Sequence, residues 1–302
     1  MFKDELESFL AENRVVHSAV KQRTHFSEHS GISGRVFVFD TLTSTMDIAR
    51  EILTNISLSE EVDAAASSVI SGEGSSSFLV ISREQTSGRG TKGRVWASPA
   101  AGGVYLSAAW EIPYPIWQLQ GISLAAGVMI RDYLESLRVK VQLKWPNDVI
   151  ARKAGGGWGK LSGLLFETVP VAREDHTGII LGLGFNVDQL PNTEIPAVSL
   201  TELAQLGVAD KNEIYLQLSL DLLRETDNFM RCVSSGHLHD YLARWHEGAW
   251  GYGDLTTINT GREKKTGVLK GISKHGALLL ESESGELEII SGELEFSYVA
   301  GD

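Results

Sequence analysis

The run from Phe78 to Ile112 constrains the fold more than any other part of the chain. FLVISREQ is a β-rich stretch that feeds without a break into QTSGRGTKGRVW, where three glycines and three cations stand among twelve residues. GGVYLSAAWEI then returns as a second strand. A strand entering a glycine-rich turn presents backbone N–H groups and cations to an anion, because glycine accepts positive φ and lets the backbone approach closely. Arg89, between Gly88 and Gly90, carries a guanidinium suited to a bidentate grip on a carboxylate or phosphate. The stretch reads equally well as a solvated hairpin. It matches neither G-x-G-x-x-G opening a helix nor the Walker pattern ending in Gly-Lys-Ser/Thr, which argues against dinucleotide and P-loop folds.

Around this core, strand and helix signals alternate. Phe2, Leu6, Phe9 and Leu10 predict an amphipathic helix over 2–13. RVFVFD (35–40) predicts a strand, followed by a turn and a helix in DTLTSTMDIAREIL, with Ser44 or Thr45 as N-cap. Residues 55–77 are Ser-, Ala- and acid-rich and end as a loop. A long helix is expected over 118–137, a strand and turn in VQLKWPNDVI, and two further strands in KLSGLLFETV and GIILGLGFNV, with the glycine-rich AGGGWG (154–159) before them. Residues 211–245 read as helical, with Ile214, Leu218, Leu222 and Leu223 on one stripe. After Trp250 only short β-type runs separated by Gly turns remain, the pattern of a small barrel, with a boundary at 248–253.

A chain of 302 residues buries enough core to need no disulfide, and the lone Cys232 reads as a small buried hydrophobe. The formal charge of −12 repels nucleic acid and anionic membranes, so the basic loop needs a local explanation. The N-terminus has acids among its apolar residues and does not read as a signal peptide, and no apolar run approaches the roughly 20 residues of a membrane span. These features predict a soluble, cytoplasmic protein. His25 and His29 lie four apart but have no third ligand nearby, so solvated histidines are expected rather than a metal site.

Three more stretches carry chemistry. KWPND (144–148) places a cation, an aromatic, a rigid turn and a carboxylate in five residues, although a plain Pro-Asn-Asp turn explains it too. Lys160 opens an apolar strand, where its ammonium calls for an anion. GLGFN (182–186) ends a strand with an amide able to reach a phosphate or a metal-bound water.

Taken in order, Ser-Thr-Met (44–46), Gln-Thr-Ser-Gly-Arg-Gly (85–90), KWPND, Lys-Leu-Ser-Gly (160–163) and Gly-Leu-Gly-Phe-Asn, followed by a small β module, resemble the biotin protein ligases from about residue 35 onward. The resemblance implies an α+β, class II synthetase-like catalytic domain, a mixed sheet flanked by helices, over 35–250. It also implies an N-terminal helical extension over 1–34 and a C-terminal SH3-like barrel over 251–302. The implied reaction joins biotin to ATP as biotinyl-5′-AMP and then to a lysine of a biotin carboxyl carrier domain of a biotin-dependent carboxylase. Such a reaction needs positioning and charge neutralisation rather than a protein nucleophile.

By the same resemblance, Arg89 and Lys160 are the catalytic residues. Ser44, Thr45 and Gln85 bind the biotin ureido ring, and Gly88, Arg89 and Lys160 hold the biotin carboxylate and α-phosphate. Trp96 covers biotin and adenine. Arg94, Lys144, Asn147, Asp148 and Asn186 join Arg89 and Trp96 around ATP, with Asp148 and Asn186 near its Mg2+. The loop is expected to order as the substrates arrive. Thr91 stands where many relatives have arginine, and Met46 where asparagine is frequent. Lipoate or octanoate ligation is the alternative within the fold, but the Arg-Arg-x-Ser-Gly-Gly-Gly stretch of those enzymes is absent. A ligase/repressor needs a winged helix of about 60 residues, and 34 residues precede Arg35. The expectation is an enzyme acting without nucleic acid or membrane, as a monomer or weak homodimer.

Overall fold

The computed structural model describes residues 35–58, 77–100, 102–171, 173, 175–188, 190, 195–204 and 211–296. The expected helix over 2–13, His25 and His29, and most of the loop over 55–77 lie outside these residues. Seven strands form one mixed sheet: β1 (Arg35–Leu42), β2 (Ser77–Gln85), β3 (Gly103–Ile112), β4 (Gln142–Lys144), β5 (Asp148–Arg152), β6 (Trp158–Val169) and β7 (Thr177–Asn186). Their order across the sheet is β1-β2-β3-β7-β6-β5-β4. The helices are α1 (Thr45–Leu58), α2 (Ile122–Ser136), α3 (Leu200–Leu203), α4 (Lys211–Ser234) and α5 (Leu238–Leu242). The described residues divide into two compact units. One holds those up to Ile116 with Leu165–Gly184 and 211–235; the other holds Trp117–Leu164, those of 185–204, and 236–296.

In the first unit β1 pairs parallel with β2, and β2 pairs antiparallel with β3. Phe78, Leu79, Val80 and Ile81 are all fully buried, as expected of an interior strand covered on both faces. The apolar stripe of α1, with Met46, Ala49 and Leu53, packs on Phe37, Phe78, Val80, Ala109 and Ile180. Phe37 meets Phe78 edge-to-face at 5.8 Å between ring centroids. Helix α4 packs on β3, and its buried Tyr215 donates to the carbonyl of Gly103 at 2.9 Å.

In the second unit β4 and β5 form a hairpin whose turn is Trp145-Pro146-Asn147, so KWPND spans the end of one strand and the start of the next. The expected helix over 118–137 begins at Ile122, because Gly121 takes a left-handed φ of 83° that breaks the preceding 3-10 turn. Gly121 also lies against Gly276: a Cβ on Gly276 would sit 2.6 Å from the Gly121 Cα. The helical stretch from Lys211 likewise breaks after Ser234, where Gly236 has φ 85°. Arg131 of α2 is buried and is met by Asp132, Glu247 and the carbonyl of Arg244. The region after Trp250 forms five antiparallel strands: β8 (Leu255–Asn259), β9 (Lys264–Ile272), β10 (Leu278–Ser282), β11 (Gly285–Ile289) and β12 (Glu293–Leu294). They are ordered β11-β10-β9-β8-β12. Among the described residues no helix is long and apolar enough to cross a membrane.

Candidate functional site

The first unit gathers a line of polar side chains inside an otherwise apolar core. The side-chain oxygen of Gln85, Oε1, accepts from the Thr45 backbone N–H at 2.8 Å and from the Thr45 hydroxyl at 3.1 Å. Gln85 Nε2 donates to Ser98 Oγ at 2.8 Å, and Ser98 donates to the carbonyl of Trp96 at 3.1 Å. Ser107, fully buried in β3, donates to Thr45 Oγ1 at 2.7 Å. The orientation of every group in this row is therefore fixed by its neighbour. Ser44 is the exception: its hydroxyl is buried, with 1% of the residue exposed, and has no hydrogen-bond partner among the described residues. Neither expected N-cap hydroxyl serves as a cap in the contacts seen. Thr45 Oγ1 goes to Gln85 and Ser107, and Ser44 stays unsatisfied. A buried hydroxyl without a partner is costly and marks a place where one is expected.

The Gly-Arg loop is a hairpin. Gln85 bridges to Ser98 and Arg89 to Val95, the Trp96 N–H donates to the Gly88 carbonyl at 2.9 Å, and the Gly90 N–H donates to the Arg94 carbonyl at 2.8 Å. Gly88 is required by this approach, since a Cβ there would lie 2.3 Å from the Trp96 carbonyl oxygen. At the tip, Lys92 has φ 57°, and the exposed Arg94 folds back, donating to the Thr91 hydroxyl at 3.3 Å. The base of the loop rests on β7. Gly182 leaves room for Met46 and Gly184 for the Trp96 indole, whose nearest atoms would lie 2.3–2.6 Å from an added Cβ. Met46 and Trp96 thus form an apolar wall on alternate residues of one strand.

Arg89 is not turned to open solvent. Its Nη1 meets Asp47 Oδ1 at 2.7 Å and its Nη2 meets Glu167 Oε1, while the second Glu167 oxygen takes Arg50 Nη2 at 2.5 Å.

The second unit holds the other group of expected residues. Asp148 receives Lys160 Nζ at 2.6 Å and Lys144 Nζ at 3.3 Å, all three being largely buried. Burial pushes the Asp148 pKa upward, but the charges and hydrogen bonds of Lys160 and Lys144 outweigh it and hold the carboxyl below its ordinary range. Two ammoniums against one carboxylate leave a net positive charge, the right sign for a phosphate or carboxylate. Lys144 also lies over the Phe296 ring, 5.6 Å from its centroid, and Phe296 packs on Trp250.

The backbone of Lys160 is fixed on both sides. Its N–H donates to the Pro196 carbonyl at 2.8 Å, and its carbonyl accepts from Val198 N–H at 3.1 Å and from Asn186 Nδ2 at 2.9 Å. Gly159 permits this approach, since a Cβ would lie 2.8 Å from the Ala197 carbonyl carbon. Asn147 Nδ2 donates to the Leu164 carbonyl at 2.7 Å and so closes the KWPND turn onto β6. Among the described residues no group of three His, Cys, Asp or Glu side chains is arranged to hold a metal ion.

The expected residues therefore form two groups. Ser44, Thr45, Gln85, Gly88, Arg89 and Trp96 lie in one unit, and Lys144, Asn147, Asp148, Lys160 and Asn186 in the other; Arg94 sits at the hairpin tip. Sequence reasoning missed Ser98, Ser107, Asp47 and Glu167. A serine in the middle of the wholly buried β3 was a readable signal, because a buried hydroxyl needs a partner.

Residues 57–186 match the model of the Biotin/lipoate A/B protein ligase family, and residues 256–297 match the Biotin protein ligase C terminal domain. The chain is 30% identical over 233 residues to the bifunctional ligase/repressor BirA of Escherichia coli K12, covering 74% of this chain and 69% of that protein. The chain belongs to the biotin protein ligase family. It is also 36% identical over 159 residues to a biotin–[acetyl-CoA-carboxylase] ligase of Mycobacterium tuberculosis, covering 50% of this chain and 55% of that one. In fold it is similar to the biotin protein ligase of Aquifex aeolicus solved in complex with biotin and ATP, with a TM-score of 0.60 and 25% identity over 86% of this chain and 97% of the other. The α+β architecture, with its mixed sheet and small C-terminal antiparallel sheet, is thus that of a biotin protein ligase.

Proposed function

We propose that this chain joins biotin to a lysine of a biotin carboxyl carrier domain, driven by ATP, through biotinyl-5′-AMP. A biotin carboxylate oxygen attacks the α-phosphorus of ATP and the Pα–O–Pβ bond breaks, releasing pyrophosphate. The carrier lysine, as a neutral amine, then attacks the acyl carbon; AMP leaves and the amine proton passes to solvent. The observation that carries the choice of substrate is the row Ser107–Thr45–Gln85–Ser98 with the unsatisfied Ser44 hydroxyl beside it. A row of buried hydroxyls and a half-buried amide, backed by Met46 and Trp96, suits a ligand with an amide-like head on an apolar body. The ureido ring of biotin is such a head. A dithiolane or an alkyl chain offers Ser44 nothing and would leave it unpaired, which is why lipoate and octanoate are not favoured.

In this reading Ser44, Thr45 and Gln85 hold the ureido ring, Gly88 and Arg89 lie at the carboxylate end, and Trp96 covers the apolar body. Lys160 and Lys144, paired with Asp148, meet the negative charge of the carboxylate and phosphates. Asn147 and Asn186 keep the turn and the Lys160 backbone in place, and Arg94 at the hairpin tip is the remaining cation for the nucleotide. Mg2+ belongs to the substrate, entering with ATP, and Asp148 and Asn186 are the residues assigned to its neighbourhood. A cytoplasmic location and action as a monomer or weak homodimer, without nucleic acid or membrane, complete the proposal. Incubating the protein with ATP, biotin and a carrier domain should add one biotinyl group to a single carrier lysine by mass spectrometry. A carrier that gains lipoyl but not biotinyl groups under matched conditions contradicts it.

A further inference from the structure

The Gly-Arg loop is tied down by four charges on three elements. Asp47 and Arg50 lie on the first turns of α1, Glu167 near the end of β6, and Arg89 on the loop itself. Arg89 bridges Asp47 and Glu167, and Glu167 bridges Arg89 and Arg50, so the group sums to zero charge. Glu167 is the centre of this chain: each of its carboxylate oxygens takes one guanidinium, and its side chain is 19% exposed, against 34–47% for the other three. The backbone adds to the tether. Thr86 N–H donates to the Leu42 carbonyl and Ser87 N–H to the Thr43 carbonyl, both at 2.9 Å, just before Gly88. Beyond Arg89 the hairpin tip, with Lys92 and Arg94, is exposed.

We propose that Glu167 is a positioning residue that acts through Arg89 to hold the loop over bound biotin and so sets how long the activated biotinyl group is retained. This rests on the functional reading given above. An isolated, exposed ion pair adds little. A carboxylate shared by two guanidiniums and largely shielded from water makes charge-assisted bonds to both, and losing it frees the loop while leaving Arg50 and Arg89 without a common partner.

Two readouts test this on the full-length protein. Limited trypsin cleavage after Lys92 or Arg94, without substrates, reports opening of the loop. The decay of preformed biotinyl-5′-AMP after rapid dilution reports retention. Glu167→Gln, which keeps the shape and removes the charge, should speed both by about tenfold, the scale of losing one charge-assisted pair. Glu167→Asp should recover part of the loss, and Asp47→Asn should give a smaller change from the other side. Glu167→Gln combined with Arg89→Gln should be no worse in cleavage than the stronger single variant, because Glu167 is proposed to act on the loop through Arg89. Unchanged cleavage, unchanged release, or additive effects in the double variant each overturn the proposal. If the unmodified protein forms no biotinyl-5′-AMP, the functional reading falls instead, and the cleavage rates still decide whether Glu167 ties the loop.

Discussion

Replacing Gly184 by alanine puts a methyl carbon where the Trp96 indole now lies. The added Cβ would stand 2.3 Å from Trp96 Cε2, 2.5 Å from Nε1 and 2.6 Å from Cζ2. Ordinary carbon contacts are about 3.5–4.0 Å, so the indole must retreat by about 1.2 Å or more. Because the crowded atoms belong to the far end of a side chain on a loop, the ring can swing away without moving β7, and the fold should lose only about 1 kcal/mol. The apolar wall, however, moves by the same distance. A displacement of about 1 Å in a positioning group costs on the order of 100-fold in rate, or about 2.7 kcal/mol. Gly184→Ala should therefore keep its thermal midpoint within a few degrees while kcat/KM for biotin falls about 10- to 100-fold. Calorimetric titration with biotin, run beside a thermal melt, separates the two effects. Unchanged biotin affinity in a folded variant refutes the placement of Trp96 against the ligand.

Ser44→Ala removes a buried hydroxyl that has no partner, so the melting temperature should hold or rise while biotin binds about tenfold more weakly; equal binding by titration removes Ser44 from the site. Gly159→Ala meets the backbone of Ala197 rather than a movable side chain, so it should lower stability by about 2–3 kcal/mol in urea unfolding, and a neutral effect would refute the tight approach beside Lys160. Asp148→Asn should cost about 3 kcal/mol at neutral pH, because Lys144 and Lys160 lose their shared counter-charge. The Asp148 carboxyl titrates below its ordinary range, so its contribution is fully present above about pH 4 and is lost as pH falls through the depressed value. Urea unfolding of both proteins from pH 7 to pH 2.5 should show the difference shrinking only at the acid end; a constant difference contradicts the pairing.

The strands were legible because their neighbours on the sheet bury them: Phe78 to Ile81 could not be polar, and the five C-terminal strands are spaced by glycine turns. Helix limits were less legible, since Gly121 and Gly236 end helical backbone through φ angles that become visible only when the chain is folded. The motif residues Gln85, Lys144, Asp148 and Lys160 stood out by order and spacing. Their partners did not. Glu167 is one acid in an apolar strand, and its value comes from Arg89 and Arg50, which lie 78 and 117 residues away in sequence. The use of Asn186 was also hidden: its amide is spent on the Lys160 carbonyl, a contact set by the path of two strands rather than by any local pattern.

Pyrophosphate exchange into ATP tests the first chemical step directly and needs no carrier. With biotin, lipoate and octanoate assayed in parallel, biotin alone should stimulate exchange, and Lys160→Ala should abolish that stimulation by removing a cation from the Asp148 cluster. Exchange stimulated by lipoate or octanoate but not by biotin, or biotin-stimulated exchange that survives in Lys160→Ala, would contradict the account.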